Sequence, residues 1–79
     1  MRVSKEVRSR FIEKLFAFAN DVVANYTDEN YKFLWDMCSL WNSTHDSKDE
    51  VFMSEIYNDS DDIIGIGIED DILYFKEVI

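Results

Sequence analysis

Residues 4–26, SKEVRSRFIEKLFAFANDVVANY, place apolar side chains at Val7, Phe11, Leu15, Phe18, Val22 and Tyr26, spaced four, four, three, four and four. Ile12, Phe16, Ala19 and Val23 fill the adjoining row, so one broad apolar stripe runs at the helical period. Arg10, Glu13, Lys14 and Asp21 take the opposite side, and Ser4 is placed to cap the first turn. The pattern predicts a core helix of about six turns.

Thr27-Asp28-Glu29-Asn30 interrupts that period. Thr27 suits the N-cap of a second helix, with Asp28 and Glu29 at the positive end of its dipole. This helix is predicted to run to about Trp41. Tyr31, Leu34, Trp35, Cys38 and Trp41 form one face, with Phe33, Met37 and Leu40 beside or behind it. A helix apolar nearly all round is buried on several sides. The first helix and the C-terminal segment can supply that cover. The other source is a dimer or subunit contact centred on Trp35 and Trp41, with Tyr57 as a further candidate, since aromatic residues favour interfaces.

Asn42 to Asp46 reads as a polar loop, and Ser47-Lys48-Asp49-Glu50 fits a capping box. Phe52, Met53, Ile56 and Tyr57 then fall on one helical face, which predicts a short third helix. A strand over 51–57 is the alternative, and it would set Glu55 among Val51, Met53 and Tyr57. Asn58-Asp59-Ser60-Asp61-Asp62 forces a turn.

Residues 61–75, DDIIGIGIEDDILYF, alternate as a one-sided antiparallel hairpin requires. With Asp70-Asp71 as a two-residue loop, Ile68 pairs with Leu73, Ile66 with Phe75 and Ile64 with Glu77 on the face toward the helices. Glu69 then pairs with Ile72, Gly67 with Tyr74, Gly65 with Lys76 and Ile63 with Val78 on the outer face. In that register the Tyr74 ring covers the bare backbone of Gly67, so the glycines are structural. The flanking carboxylates guard an exposed edge against pairing with another chain.

Seventy-nine residues form one domain, 1–79, because halves of that length would not bury a core. Cys38 is the only cysteine and His45 the only histidine, so no disulfide within the monomer can staple the fold and a metal staple is poorly supplied with ligands. Six Phe, four Tyr and two Trp supply the core instead. Met1-Arg2-Val3-Ser4-Lys5 leads into a charged helical pattern, not a signal peptide. No apolar run approaches the roughly 18 residues needed to span a bilayer. With an unpaired thiol, these features point to a reducing, cytoplasmic setting.

Charge changes the picture most. The net charge is −9, and it is polarised: residues 1–27 hold five cations against three acids, while residues 28–79 hold fourteen acids against three lysines. Between 46 and 71, Asp46, Asp49, Glu50, Glu55, Asp59, Asp61, Asp62, Glu69, Asp70 and Asp71 face Lys48 alone. Solubility needs fewer carboxylates than this, and like charges repel in a compact state. Gathered on one surface, they would approach the phosphate density of a duplex face. Direct nucleic-acid binding is excluded by the same balance, although Arg2, Lys5, Arg8, Arg10 and Lys14 line the first helix.

No catalytic motif emerges. Gly65-Ile66-Gly67 lacks the third glycine and following helix of a dinucleotide site. Asn58 to Glu69 lacks the first Asp and sixth Gly of a calcium loop. Cys38 in an apolar helix is an inert thiol, and His45 in a loop has no orienting partner. The expected fold is α+β: two long helices, a short third helix and a C-terminal hairpin. The expected function is non-catalytic, with no cofactor. The acidic residues would bind and inhibit or regulate a protein with a basic, nucleic-acid-handling surface, and an aromatic homodimer is the rival reading.

Overall fold

The computed structural model describes residues 4–76. Helix α1 spans Lys5–Ala24 and helix α2 spans Asp28–Thr44. Both begin as the sequence implies: Ser4 Oγ accepts from the Val7 amide at 3.2 Å, and Thr27 forms a reciprocal capping box with Asn30. A single 3-10 turn, Ser47–Asp49, follows, and then three strands: β1 Met53–Tyr57, β2 Ile63–Ile68 and β3 Asp71–Tyr74. They form one antiparallel sheet in the order β1-β2-β3.

The third helix predicted over 47–57 is therefore corrected: only the 3-10 turn is helical, and the alternative, a strand, occupies Met53–Tyr57. The reason lies in Asn42 on α2. Its side-chain amide accepts from Val51 N at 2.8 Å and donates to Val51 O at 2.9 Å, satisfying both backbone groups of a residue that is 1% exposed. Cys38 Sγ also contacts Val51 O at 3.4 Å. Held extended there, the chain feeds β1 onto β2. Three strands with an apolar face are stable where a lone hairpin is marginal.

The hairpin loop is corrected as well. The turn residues are Glu69-Asp70, with Ile68 opposite Asp71, Gly67 opposite Ile72, Ile66 opposite Leu73 and Gly65 opposite Tyr74. Every expected pair has slipped by two residues, so each side chain keeps its predicted face. The pairs expected with Glu77 and Val78 lie outside the described residues. Glu69 takes the left-handed region, φ 54°, at the first loop position. Its amide donates to Phe52 O at 2.8 Å across to the chain entering β1.

The Tyr74 ring consequently covers Gly65 instead of Gly67. A Cβ on Gly65 would sit 3.3 Å from Tyr74 Cδ1 and 2.7 Å from the Leu73 carbonyl oxygen. On Gly67 it would meet Ser54 Oγ of β1 at 2.7 Å. Both glycines serve close strand packing. Against the inner face of β2, Ile66 and Ile68 join Leu15, Ala19, Val22, Leu34, Cys38 and Val51 in the hydrophobic core. Sheet and helix pair thus form two layers.

Candidate acidic interface

Three of the ten expected surface acids are drawn into the structure. Asp49 is only 4% exposed, and its carbonyl oxygen accepts from Trp41 Nε1 at 2.9 Å and Arg8 Nε at 3.3 Å. Glu69 pairs with the Arg8 guanidinium, which also donates to Glu50 O at 2.7 Å. Arg8 therefore ties α1 to both the segment before β1 and the β2–β3 turn. Glu55 sits at mid-strand and accepts from Tyr31 and Tyr57 hydroxyls, each at 2.6 Å. The Tyr31 bond, then the Tyr57 bond, holds its carboxyl below the usual range. Burial, and then the bond to Glu55, drives the Tyr31 hydroxyl far above its ordinary value.

The other seven, Asp46, Glu50, Asp59, Asp61, Asp62, Asp70 and Asp71, are exposed. Among the described residues, the ion pairs are Arg8–Glu69 and Arg10–Glu6. Among the described residues no cation pairs with Glu50, Asp59, Asp61, Asp62, Asp70 or Asp71. Antiparallel topology sorts these six to opposite ends of the sheet. Asp59, Asp61 and Asp62 cluster in the β1–β2 loop. Glu50, Asp70 and Asp71 gather at the other end, where β1 begins and β2 turns into β3. The five steps of β2 between the ends span roughly 17 Å. The sheet thus carries carboxylates at both of its ends.

The first end is rigidly built. Asn58 Oδ1 accepts from the Ser60 and Asp62 amides at 2.9 and 3.0 Å, and the Asn58 carbonyl accepts from Asp61 N at 3.1 Å. Asp61 at φ 63° completes a three-residue hairpin loop. Bonding is confined to Asn58 and the backbone, which leaves the three carboxylates outward. No group of three or more His, Cys, Asp or Glu among the described residues is arranged to hold a metal ion.

The tryptophans are only partly exposed. Trp41 is half-buried, stacked between Phe11 at 4.4 Å and His45 at 3.7 Å, with its indole N–H bonded to Asp49 O. Trp35 is half-buried, and its Nε1 is enclosed without a hydrogen-bond partner. Tyr57 is 52% exposed and bound to Glu55. The large apolar side chains that α2 does present to solvent are Phe33 and Leu40. They fall outside the buried helical face, and that position alone could have identified them.

Cys38 is buried, which raises its thiol pKa. His45 is not the free loop histidine expected: it closes the end of α2, stacked on Trp41 with Nδ1 2.7 Å from the Trp41 carbonyl oxygen. No helix among the described residues is long and apolar enough to cross a membrane. Comparison with family models, curated proteins and solved structures found no match to the chain.

Proposed function

We propose that this is a non-catalytic binding protein that docks its acidic sheet ends onto the basic, nucleic-acid-binding surface of another protein and thereby inhibits or regulates it. The observation that carries the reading is the set of six exposed carboxylates without a cationic partner among the described residues, divided between the two ends of the sheet. Fixed charge without an internal partner favours an external one, and complementary charge gives fast association. The two groups lie beyond the ends of β2, which alone spans roughly 17 Å, so they can engage two separate cationic zones of a duplex-binding groove. A nuclease, restriction enzyme or CRISPR effector carries such a groove and is the natural class of target. The thiol buried in the core and the histidine engaged with Trp41 support a binding role over a catalytic one.

The test is affinity capture from the native host on immobilised protein. Wild type is expected to retain a nucleic-acid-binding protein that duplex DNA displaces. Replacing Asp59, Asp61, Asp62, Asp70 and Asp71 with Asn should abolish that retention without unfolding the domain. Full retention by the neutralised variant, or indifference to DNA, refutes the reading.

A further inference from the structure

We propose that the chain forms a two-fold homodimer through the outer face of its helix pair, with α1 lying over the second copy's α2. This inference is independent of the acidic interface, which lies on the sheet half.

The inner faces of α1 and α2 are committed to the sheet. Their outer face carries an apolar seam along the groove between them, where Phe33 and Leu40, two turns apart, are 56% and 66% exposed. Phe33 and Phe18 line a depression of about 470 Å³, and Leu40, Met37 and Phe11 line a second of about 260 Å³. A seam of this kind between two helices accepts ridges from another helix pair.

Charge selects the occupant. Residues 45–76 hold ten acids against Lys48 and Lys76, whereas α1 and α2 together hold six acids against five cations. The helix pair is therefore the part of this acidic molecule that a second copy can approach with least repulsion. Its charges are also sorted. At 100° per residue, Arg10 and Lys14 share the outer flank of α1 with Asp21, leaving it net positive, and Glu29 and Asp36 share that of α2 with Lys32, leaving it net negative. Lys14, Glu29 and Asp36 are exposed and have no ion pair within the described chain.

Geometry then sets the register. The Phe18–Phe33 and Phe11–Trp41 ring contacts fix which residues of the antiparallel helices are level. By interpolation Lys14 lies level with Met37 and Cys38, within about 3 Å along the axis of Asp36. A two-fold axis parallel to the helices preserves level while exchanging α1 for α2. It brings Lys14 of each copy against Asp36 of the other, twice, and presses Phe33 and Leu40 into the opposing seam. An isologous contact requires self-complementarity of this kind.

Sedimentation equilibrium of the full chain tests the proposal. Wild type should sediment at twice its 9.4 kDa mass. Phe33→Glu with Leu40→Glu should give a monomer with an unchanged far-ultraviolet spectrum, since both side chains are exposed. Lys14→Glu and Asp36→Lys should each raise the dimer dissociation constant about tenfold or more. Combining these two changes should restore it by exchanging the charges across the axis. A monomeric wild type, a dimer that survives the two glutamates, or a double exchange that fails to recover would each overturn the proposal.

Discussion

Glu55 lies mid-strand between two phenols, and its carboxylate is worth more to the folded chain than to the unfolded one. The Tyr31 hydrogen bond, followed by that of Tyr57, depresses its folded pKa. The unfolded chain consequently binds more protons through that window, so this stabilisation is complete above the ordinary carboxylate value and disappears as pH falls through the lower folded value. The stability difference between wild type and Glu55→Gln, followed by urea denaturation, should be constant near pH 7 and shrink below about pH 4. A difference that does not vary with pH would refute this account. Tyr31 acts oppositely at high pH: its raised value means that stability is lost as pH rises above about 10. The tryptophans supply a second residue-scale contrast. Trp41→Phe removes a 2.9 Å bond to Asp49 O and should cost about 1 kcal/mol beyond any packing loss. Trp35→Phe removes an enclosed N–H that has no partner and should cost less. Equal losses in parallel denaturant titrations would contradict that ordering. These distinctions were not legible from the chain, because both residues occupy apolar positions of the same helix. The role of the glycines was legible, because Gly at alternate strand positions calls for a close neighbour, even though Tyr74 covers Gly65 and not Gly67.

Strand β1 shows where local pattern yields to tertiary structure. Phe52, Met53, Ile56 and Tyr57 satisfy a helical period, and Ser47 to Glu50 spells a capping box. Neither prevails, because Asn42, nine residues earlier, occupies the Val51 backbone groups that a helix would use internally. A contact between a loop backbone and a preceding helix has no periodic trace, so no window over 47–57 reveals it. By contrast α1 and α2 were readable almost to their ends, since amphipathic period and caps are local properties. The hairpin was readable in its faces but not its loop: alternation fixes parity, and a two-residue slip leaves parity unchanged. Asn42→Ala should orphan the buried Val51 N–H, costing about 1–3 kcal/mol, and leave its C=O to the Cys38 thiol alone. Amide exchange should quicken first in β1, with β2–β3 and the helices retaining more protection. Uniform loss of protection across the sheet would show that Asn42 stabilises the fold without specifically latching that strand.

At the scale of the whole molecule, the arrangement of carboxylates was the least legible property. Sequence shows how many acids follow residue 45, but their positions depend on strand direction, which sends one group to each end of the sheet. Arg8 withdraws Glu69, and Tyr31 withdraws Glu55, through contacts 61 and 24 residues apart in the chain. The remaining exposed charge sets two salt dependences in opposite directions. Within the molecule like charges repel, and a Debye length near 10 Å at 0.1 M salt screens them, so added sodium chloride should raise the melting temperature. Between molecules the same screening should weaken capture of a cationic partner. Neutralising Asp59, Asp61, Asp62, Asp70 and Asp71 changes the net charge from −9 to −4, which should flatten the thermal response to salt and remove the capture. Thermal melts and capture measured across one salt series separate the two effects. Repulsion within the molecule alone accounts for the first slope, but only an interface built from these side chains accounts for the second. Capture unchanged across that series would therefore assign the partner to apolar contacts, even if the melting temperature rises as expected.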